Sequence, residues 1–209
     1  MKPPLRIVKL GGSLLDVEGL RGRLLAWLRA QKPKTTALVV GGGSIADAIR
    51  AIDRAQGLSP EAAHWLAIDS MGVTARLTAE LFPEFALVHS LAAVCPAAVQ
   101  GAAIGDVVII DVPRVLRAAA PADALPASWS VTSDSIAAWM AGKLAADELV
   151  LLKSKLPHGE LDLKLLADEG YVDSFFPHAA AKLERVRFVN LRDASYPERV
   201  AISVAASTA

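Results

Sequence analysis

The chain alternates short apolar runs with amphipathic stretches, and several of the runs stop at glycines. Residues 7–10 read as a buried strand carrying one charge, Lys9, and ending at Gly11-Gly12-Ser13. Residues 16–29 then read as a helix, with Leu20, Leu24, Trp27 and Leu28 on one face and Arg21, Arg23 and Arg29 solvated. Residues 35–40 form a second apolar strand that ends at Gly41-Gly42-Gly43-Ser44, and residues 45–56 a helix predicted to turn Ile45, Ala48, Ile49 and Ile52 inward. Ser59-Pro60-Glu61 opens a helix by cap and first-turn chemistry. It is expected to run to about Leu81, kinked near Gly72.

Farther along, residues 85–91 read as a short strand, 92–105 as irregular, 107–112 as a buried strand and 114–119 as a short helix. Residues 120–130 read as a loop over the surface. A helix is expected from 136 to about 145 behind Thr132-Ser133-Asp134-Ser135, and a strand over 148–153. Residues 163–169 read as a helix capped by Gly170, 171–176 as an aromatic loop and 179–183 as helical. Residues 186–190 and 199–204 close the chain as strands, read as an antiparallel pair.

Two strand–glycine–helix units in succession imply a right-handed crossover and a parallel sheet. Both glycine turns then lie at the carboxyl edge of that sheet, where α/β folds bind ligands. Backbone amides at a turn, a helix N-terminus and a nearby ammonium group suit phosphate, and two such turns on one edge could hold two phosphate-like groups. Ser13 is expected to cap the helical segment after the first turn.

At 209 residues the chain fits one α/β unit, expected over 1–209 with halves at about 1–120 and 121–209. Its 53% hydrophobic content argues against disorder. Lys+Arg and Asp+Glu both number 22, so no basic excess points to nucleic acid. The single Cys95 leaves no internal disulfide and no thiolate cluster, and its apolar setting predicts a buried thiol. No apolar run reaches the length of a membrane span, about 18 residues, so a cytoplasmic protein without membrane attachment is expected.

Common catalytic signatures are absent. Neither glycine cluster continues as a Walker-type loop or as G-x-G-x-x-G, and there is no His-Glu-x-x-His and no G-x-S-x-G. Phosphate handling by the paired turns remains. Phosphoryl transfer would need positive charge on the moving oxygens, donors on both phosphates and a group that holds them in line. Lys9 can supply the first and the amides of Gly11, Gly12, Gly42 and Gly43 the second. Asp134, which could otherwise cap its own helix, can orient lysine ammonium groups.

Val8-Lys9-Leu10-Gly11-Gly12-Ser13, Val39-Val40-Gly41-Gly42-Gly43-Ser44 and Thr132-Ser133-Asp134-Ser135-Ile136-Ala137-Ala138, in this order, resemble the amino acid kinase family over nearly the whole chain. The resemblance implies an open three-layer αβα sandwich with a mainly parallel central sheet, MgATP over the C-terminal half and the acceptor over the N-terminal half. It implies that Lys9 stabilises the transferring phosphoryl, that Gly11, Gly12 and Ser13 hold donor phosphates, and that Gly42 and Gly43 flank the acceptor. Asp134 then organises the lysines, and Lys153 reaches the phosphates. Ser133 and Ser154 join the nucleotide-side candidates, and Gly41, His64 and Thr132 the acceptor side, although His64 also reads as a helix residue with a satisfied ring. The loop Lys153-Ser154-Lys155-Leu156-Pro157-His158-Gly159 departs from the Thr-Asp-Val-Asp-Gly type of relatives, which bears on the adenine and ribose contacts.

The stretches 63–67, 129–134 and Gly170-Tyr171-Val172-Asp173-Ser174-Phe175-Phe176-Pro177 look similar to a short-chain branch of the family. That branch contains the kinase of methanofuran biosynthesis, which converts an aminomethylfuran-methyl phosphate to its diphosphate. It implies ATP and Mg2+, a small phosphate acceptor and a homo-oligomer, with Asp69 or Asp173 as candidate partners of the acceptor amine, although each reads first as a structural residue. An isopentenyl-phosphate-like or carboxylate kinase is the alternative within the family. A non-catalytic nucleotide or oxyanion binding or storage protein is the alternative outside enzymes.

Overall fold

In the computed structural model, residues 4–94 and 106–202 are described. The strands are β1 (Leu5–Leu10), β2 (Thr35–Val40), β3 (Ala86–Val88), β4 (Val107–Ile110), β5 (Glu148–Lys153), β6 (Arg185–Asn190) and β7 (Glu198–Ile202). They form one sheet in the order β3-β4-β2-β1-β5-β6-β7, parallel throughout except for the antiparallel β6–β7 pair. The helices are α1 (Leu20–Ala30), α2 (Gly43–Gln56), α3 (Pro60–Leu81), α4 (Val112–Arg117), α5 (Ser133–Lys143), α6 (Leu163–Asp168) and α7 (Phe176–Ala179).

Successive residues of the central strands enter opposite cores. Ile7, Val39, Leu151 and Phe188 face a core shared with Ile136 and Met140 of α5. Val8, Leu38, Val40 and Val150 face the one built on Leu24, Trp27 and Leu28 of α1. Helices on both sides explain why these strands are continuous apolar runs and not alternating ones. The result is the expected α/β class: three layers around a mainly parallel sheet. Among the described residues, no helix is long and apolar enough to cross a membrane.

The amino-terminal edge of the sheet is fastened by buried charge. Glu148 at the start of β5 pairs with Arg6 at 2.8 Å and Arg187 at 3.2 Å. Burial pushes its carboxyl up, but Arg6, Arg187 and Lys34 outweigh this and hold it at about 2. The opposite edge is thereby left free for the glycine turns.

Several expectations are corrected. The first helix starts at Leu20, not at 16, because Gly19 takes a left-handed φ of 72° at its N-cap. Ser13 caps no helix; it lies inside a short 3-10 turn, Gly12–Leu14, that starts from Gly11 without a side-chain cap. α2 buries none of its residues: Ile45 and Ile52 are 38% and 56% exposed. The helix packs mainly on α3 and the first glycine turn, so its apolar stripe faces outward. α3 runs as one helix through Gly72, where a Cβ would lie 2.9 Å from Pro113 Cγ. Close approach to Pro113 accounts for that glycine. The strand expected over 107–112 stops at Ile110, and the helix expected over 179–183 is placed at Phe176–Ala179. Cys95 and most of the irregular stretch 92–105 lie outside the described residues.

Candidate active site

Two glycine turns leave neighbouring strands at one edge of the sheet. β1 and β2 run in register, Leu10 opposite Val40, and the ladder continues into the turns through Gly11 N to Leu152 O and Gly41 N to Leu10 O, both 3.0 Å. The turns then meet backbone against backbone. A Cβ on Gly12 would stand 2.2 Å from Gly43 N, and one on Gly42 would stand 2.2 Å from Ser70 Oγ. Only glycine fits these positions, and Gly43, at a φ of +56°, also needs glycine's freedom. α2 begins at Gly43, so its free N-terminal amides belong to the same corner.

Beneath the turns, two lysines converge on one carboxylate. Lys9 comes from β1 and Lys153 from the last position of the adjacent β5. Lys9 Nζ stands 2.9 Å from Asp134 Oδ1, and Lys153 Nζ donates to Oδ2 at 2.6 Å. Asp134 lies inside the first turn of α5, 4% exposed, and does not cap the helix. Lys153 also donates to the Tyr171 carbonyl at 2.7 Å.

A cleft of about 260 Å3 opens above this pair. It is lined by Lys9, Lys153, Ser154, Gly11, Gly12, Ser13, Gly41, Gly42 and Gly43, with Thr132, Ser133 and His64 completing the wall. Every residue assigned from the sequence to catalysis or to phosphate contact therefore lines the cleft except Asp134, which lies buried against its lysines. The two candidate partners of an acceptor amine do not line it: Asp69 pairs with Arg117 at 2.8 Å, and Asp173 is engaged by α5.

Residues 4–155 match the amino acid kinase family model, well over half of the chain. The chain belongs to the amino acid kinase family. It is 26% identical over 221 residues to [5-(aminomethyl)furan-3-yl]methyl phosphate kinase of Methanocaldococcus jannaschii, covering 94% of this chain and 91% of that protein. Among solved structures it is similar to UMP kinase from Ureaplasma parvum, with a TM-score of 0.64, 10% identity and 97% of each chain covered. UMP kinase from Bacillus anthracis gives a TM-score of 0.59 at 12% identity, covering 92% of this chain and 89% of that one. These structural likenesses carry the fold; the family makes the chain a phosphotransferase of the kinase type.

In this amino acid kinase family member, burial and the paired charges compete at the site. Burial alone would raise Asp134, but the charges of Lys153 and Lys9 and the hydrogen bond from Lys153 prevail and hold it at about 2, so it is ionised at neutral pH. Burial lowers Lys153 below the ordinary lysine range; Asp134 opposes this and Lys9 adds to it. His64 is also lowered by burial, opposed in part by the Ser128 carbonyl 3.2 Å from Nδ1, which leaves the ring neutral at neutral pH.

Two lining residues, Asp47 and Arg50, escape the sequence reading. Arg50 lies 4.5 Å over the Trp129 ring and pairs with Asp47 at 2.8 Å. Trp129 donates its indole N–H to Asp53 at 2.7 Å. Asp47, Arg50 and Asp53 recur at three-residue steps on α2, a polar stripe beside the apolar one, and that spacing is the signal that could have found them.

A second cleft of about 280 Å3, lined by residues 153–158 and 169–171, adjoins the first through Lys153 and Ser154. Among the described residues no cluster of three His, Cys, Asp or Glu side chains forms a metal cage. A magnesium ion carried on phosphate oxygens and water fits this donor set, whereas an ion needing several protein carboxylates does not.

Proposed function

We propose that this kinase transfers the γ-phosphoryl group of MgATP to a small phosphate-bearing acceptor, with [5-(aminomethyl)furan-3-yl]methyl phosphate the best-matched candidate and its diphosphate the product. The observation that carries the reading is the pair of lysines held on one buried carboxylate directly below two touching glycine turns. An acceptor phosphate oxygen forms the new P–O bond to the γ-phosphorus while the bond to the β-phosphate oxygen breaks, leaving ADP. Lys9 and Lys153 stabilise the charge on the moving phosphoryl oxygens, and Asp134 keeps the two ammonium groups from repelling each other apart. The amides of Gly11 and Gly12, with Ser13, Ser133 and Ser154, hold the donor phosphates. Magnesium, carried in on ATP, neutralises phosphate charge.

The acceptor side is assigned to Gly41, Gly42, Gly43, Thr132 and His64, together with the wall of Arg50, Trp129, Ile68 and Met71. Arg50 matches the phosphate already on the acceptor, the apolar wall matches a flat ring, and Asp47 matches an amine. The furan phosphate has all three features, and the M. jannaschii relative is named for that substrate. We assign the outward apolar faces of α2 and α3, with Ile45, Ile52, Val73 and Leu77 all more than a third exposed, to contact with a second copy of the chain.

The test is phosphoryl transfer from MgATP to the furan phosphate beside isopentenyl phosphate, UMP and acetylglutamate, with products read by phosphorus NMR. Selective formation of the furan diphosphate is expected. Transfer to another acceptor overturns the acceptor assignment and keeps the kinase. ATP binding without transfer to any acceptor overturns the catalytic reading in favour of a binding protein.

A further inference from the structure

The loop between α6 and α7 touches Lys153 and two residues that flank Asp134, Thr132 and Ser135, without lining the main cleft. The Tyr171 carbonyl receives Lys153 Nζ at 2.7 Å. Two residues on, Asp173 grips the first turn of α5. Its Oδ2 accepts from the Thr132 amide at 3.1 Å, the Thr132 hydroxyl at 2.7 Å and the Ser135 amide at 3.0 Å, and its Oδ1 accepts from the Ser135 hydroxyl. The Phe175 amide adds a bond to the Ser130 carbonyl at 3.2 Å.

Asp173 thus stands in for the N-cap from another element. A side-chain cap normally comes from the N-cap residue itself and satisfies one of the four free N–H groups of a helix start, and Thr132, the N-cap residue, is of a type that could provide it. Thr132 makes no such cap, because its hydroxyl points to Asp173. Asp134 lies between the two gripped residues. On a helix each residue turns by about 100°, so a first turn that slips or frays swings the Asp134 carboxylate away from the lysines.

We infer that Asp173 is a positioning residue for phosphoryl transfer: it fixes the first turn of α5 and so holds Asp134 between Lys9 and Lys153, while Tyr171 on the same loop fixes the Lys153 ammonium. The inference rests on the reading of those three residues as the transfer centre. Asp173 acts chiefly through geometry; its charge also favours the Lys153 ammonium, but by less than that of Asp134 does. An Asn in its place can keep the carbonyl oxygen on the Oδ2 donors and turn its NH2 to the Ser135 hydroxyl, which can accept.

The experiment compares Asp173→Ala, Asp173→Asn, Ser135→Ala and Asp134→Asn in the full chain. Transfer from MgATP to the furan phosphate is measured well below the unfolding temperature, alongside titration of the Asp134 carboxyl by carbon NMR. Asp173→Ala is expected to lower kcat by about ten- to a hundredfold with the KM for ATP within about threefold, as for a misplaced catalytic group. Its Asp134 carboxyl should titrate closer to the ordinary range. Asp173→Asn should stay within about threefold of the parent kcat. Ser135→Ala, which removes one bond, should move both readouts in the direction of Asp173→Ala and keeps the test open if that variant does not fold. Unchanged Asp134 titration in folded Asp173→Ala or in Ser135→Ala overturns the inference, whether or not transfer is observed. If Asp134→Asn retains full transfer, the transfer-centre reading itself fails.

Discussion

Replacing Asp134 by Asn removes one charge and keeps the shape of the side chain. The native carboxyl lies at about 2 against an ordinary 3.8, because Lys153 and Lys9 outweigh the burial that would raise it. At about 1.4 kcal/mol per pH unit, that gap makes the ionised group worth about 2 kcal/mol to the fold at neutral pH. Asn does somewhat worse than simple neutralisation, since its amide nitrogen is itself a donor and meets one lysine unfavourably. A loss of about 2–4 kcal/mol is expected, in the range for breaking a buried pair from one side. Urea unfolding followed across pH is the assay. A carboxyl depressed in the folded state contributes fully above its unfolded value and loses that contribution on acidification. The parent and variant should therefore converge between about pH 4 and pH 2. Inorganic phosphate should also protect the variant more than the parent, because the freed ammonium groups lack their carboxylate. Equal stability at neutral pH, or a difference that persists unchanged through acid, refutes the reasoning.

Two further outcomes rest on the same geometry. Lys153 is held below the usual lysine range in the ligand-free chain, so kcat/KM should fall on the alkaline side at a pH below about 10.4, and Lys153→Arg should lack that limb. An Ile52→Asp change on the exposed stripe of α2 should shift the chain to a smaller species by light scattering, with transfer per subunit retained; an unchanged mass contradicts the second-copy assignment.

The strands were the most legible part of the fold, since β2 and β5 match the expected bounds residue for residue. Burial on both faces leaves an unbroken apolar run whose ends are marked by glycine or charge. The α2 stripe is equally clear in the sequence, but the direction it faces is not. Periodicity reports that Ile45, Ile49 and Ile52 share a face, but not whether a sheet or another surface covers it. Gly72 shows a related limit, because a helical glycine can mark close approach as well as a bend.

At the site, adjacent parallel strands bring both glycine turns to one corner, which is why residues far apart in sequence could be grouped from motif order. Arg50 and Trp129 come from elements that nothing local ties together, so their stacking could not be read in advance. Asp173 is harder still. Its partners lie at Thr132 and Ser135, and an aspartate in an aromatic loop has no local signature of a distant helix start.

On the proposed reading, the lysines over Asp134 carry out transfer and do not merely bind phosphate. Lys9→Met measures this most directly, with kcat for the active acceptor and the Kd for MgATP determined on the same preparation. A fall in kcat of about 10²–10³ is expected, with the Kd changed by less than about tenfold, as for a group whose contact strengthens in the transition state. A Kd that weakens in step with kcat/KM while kcat is preserved would contradict it.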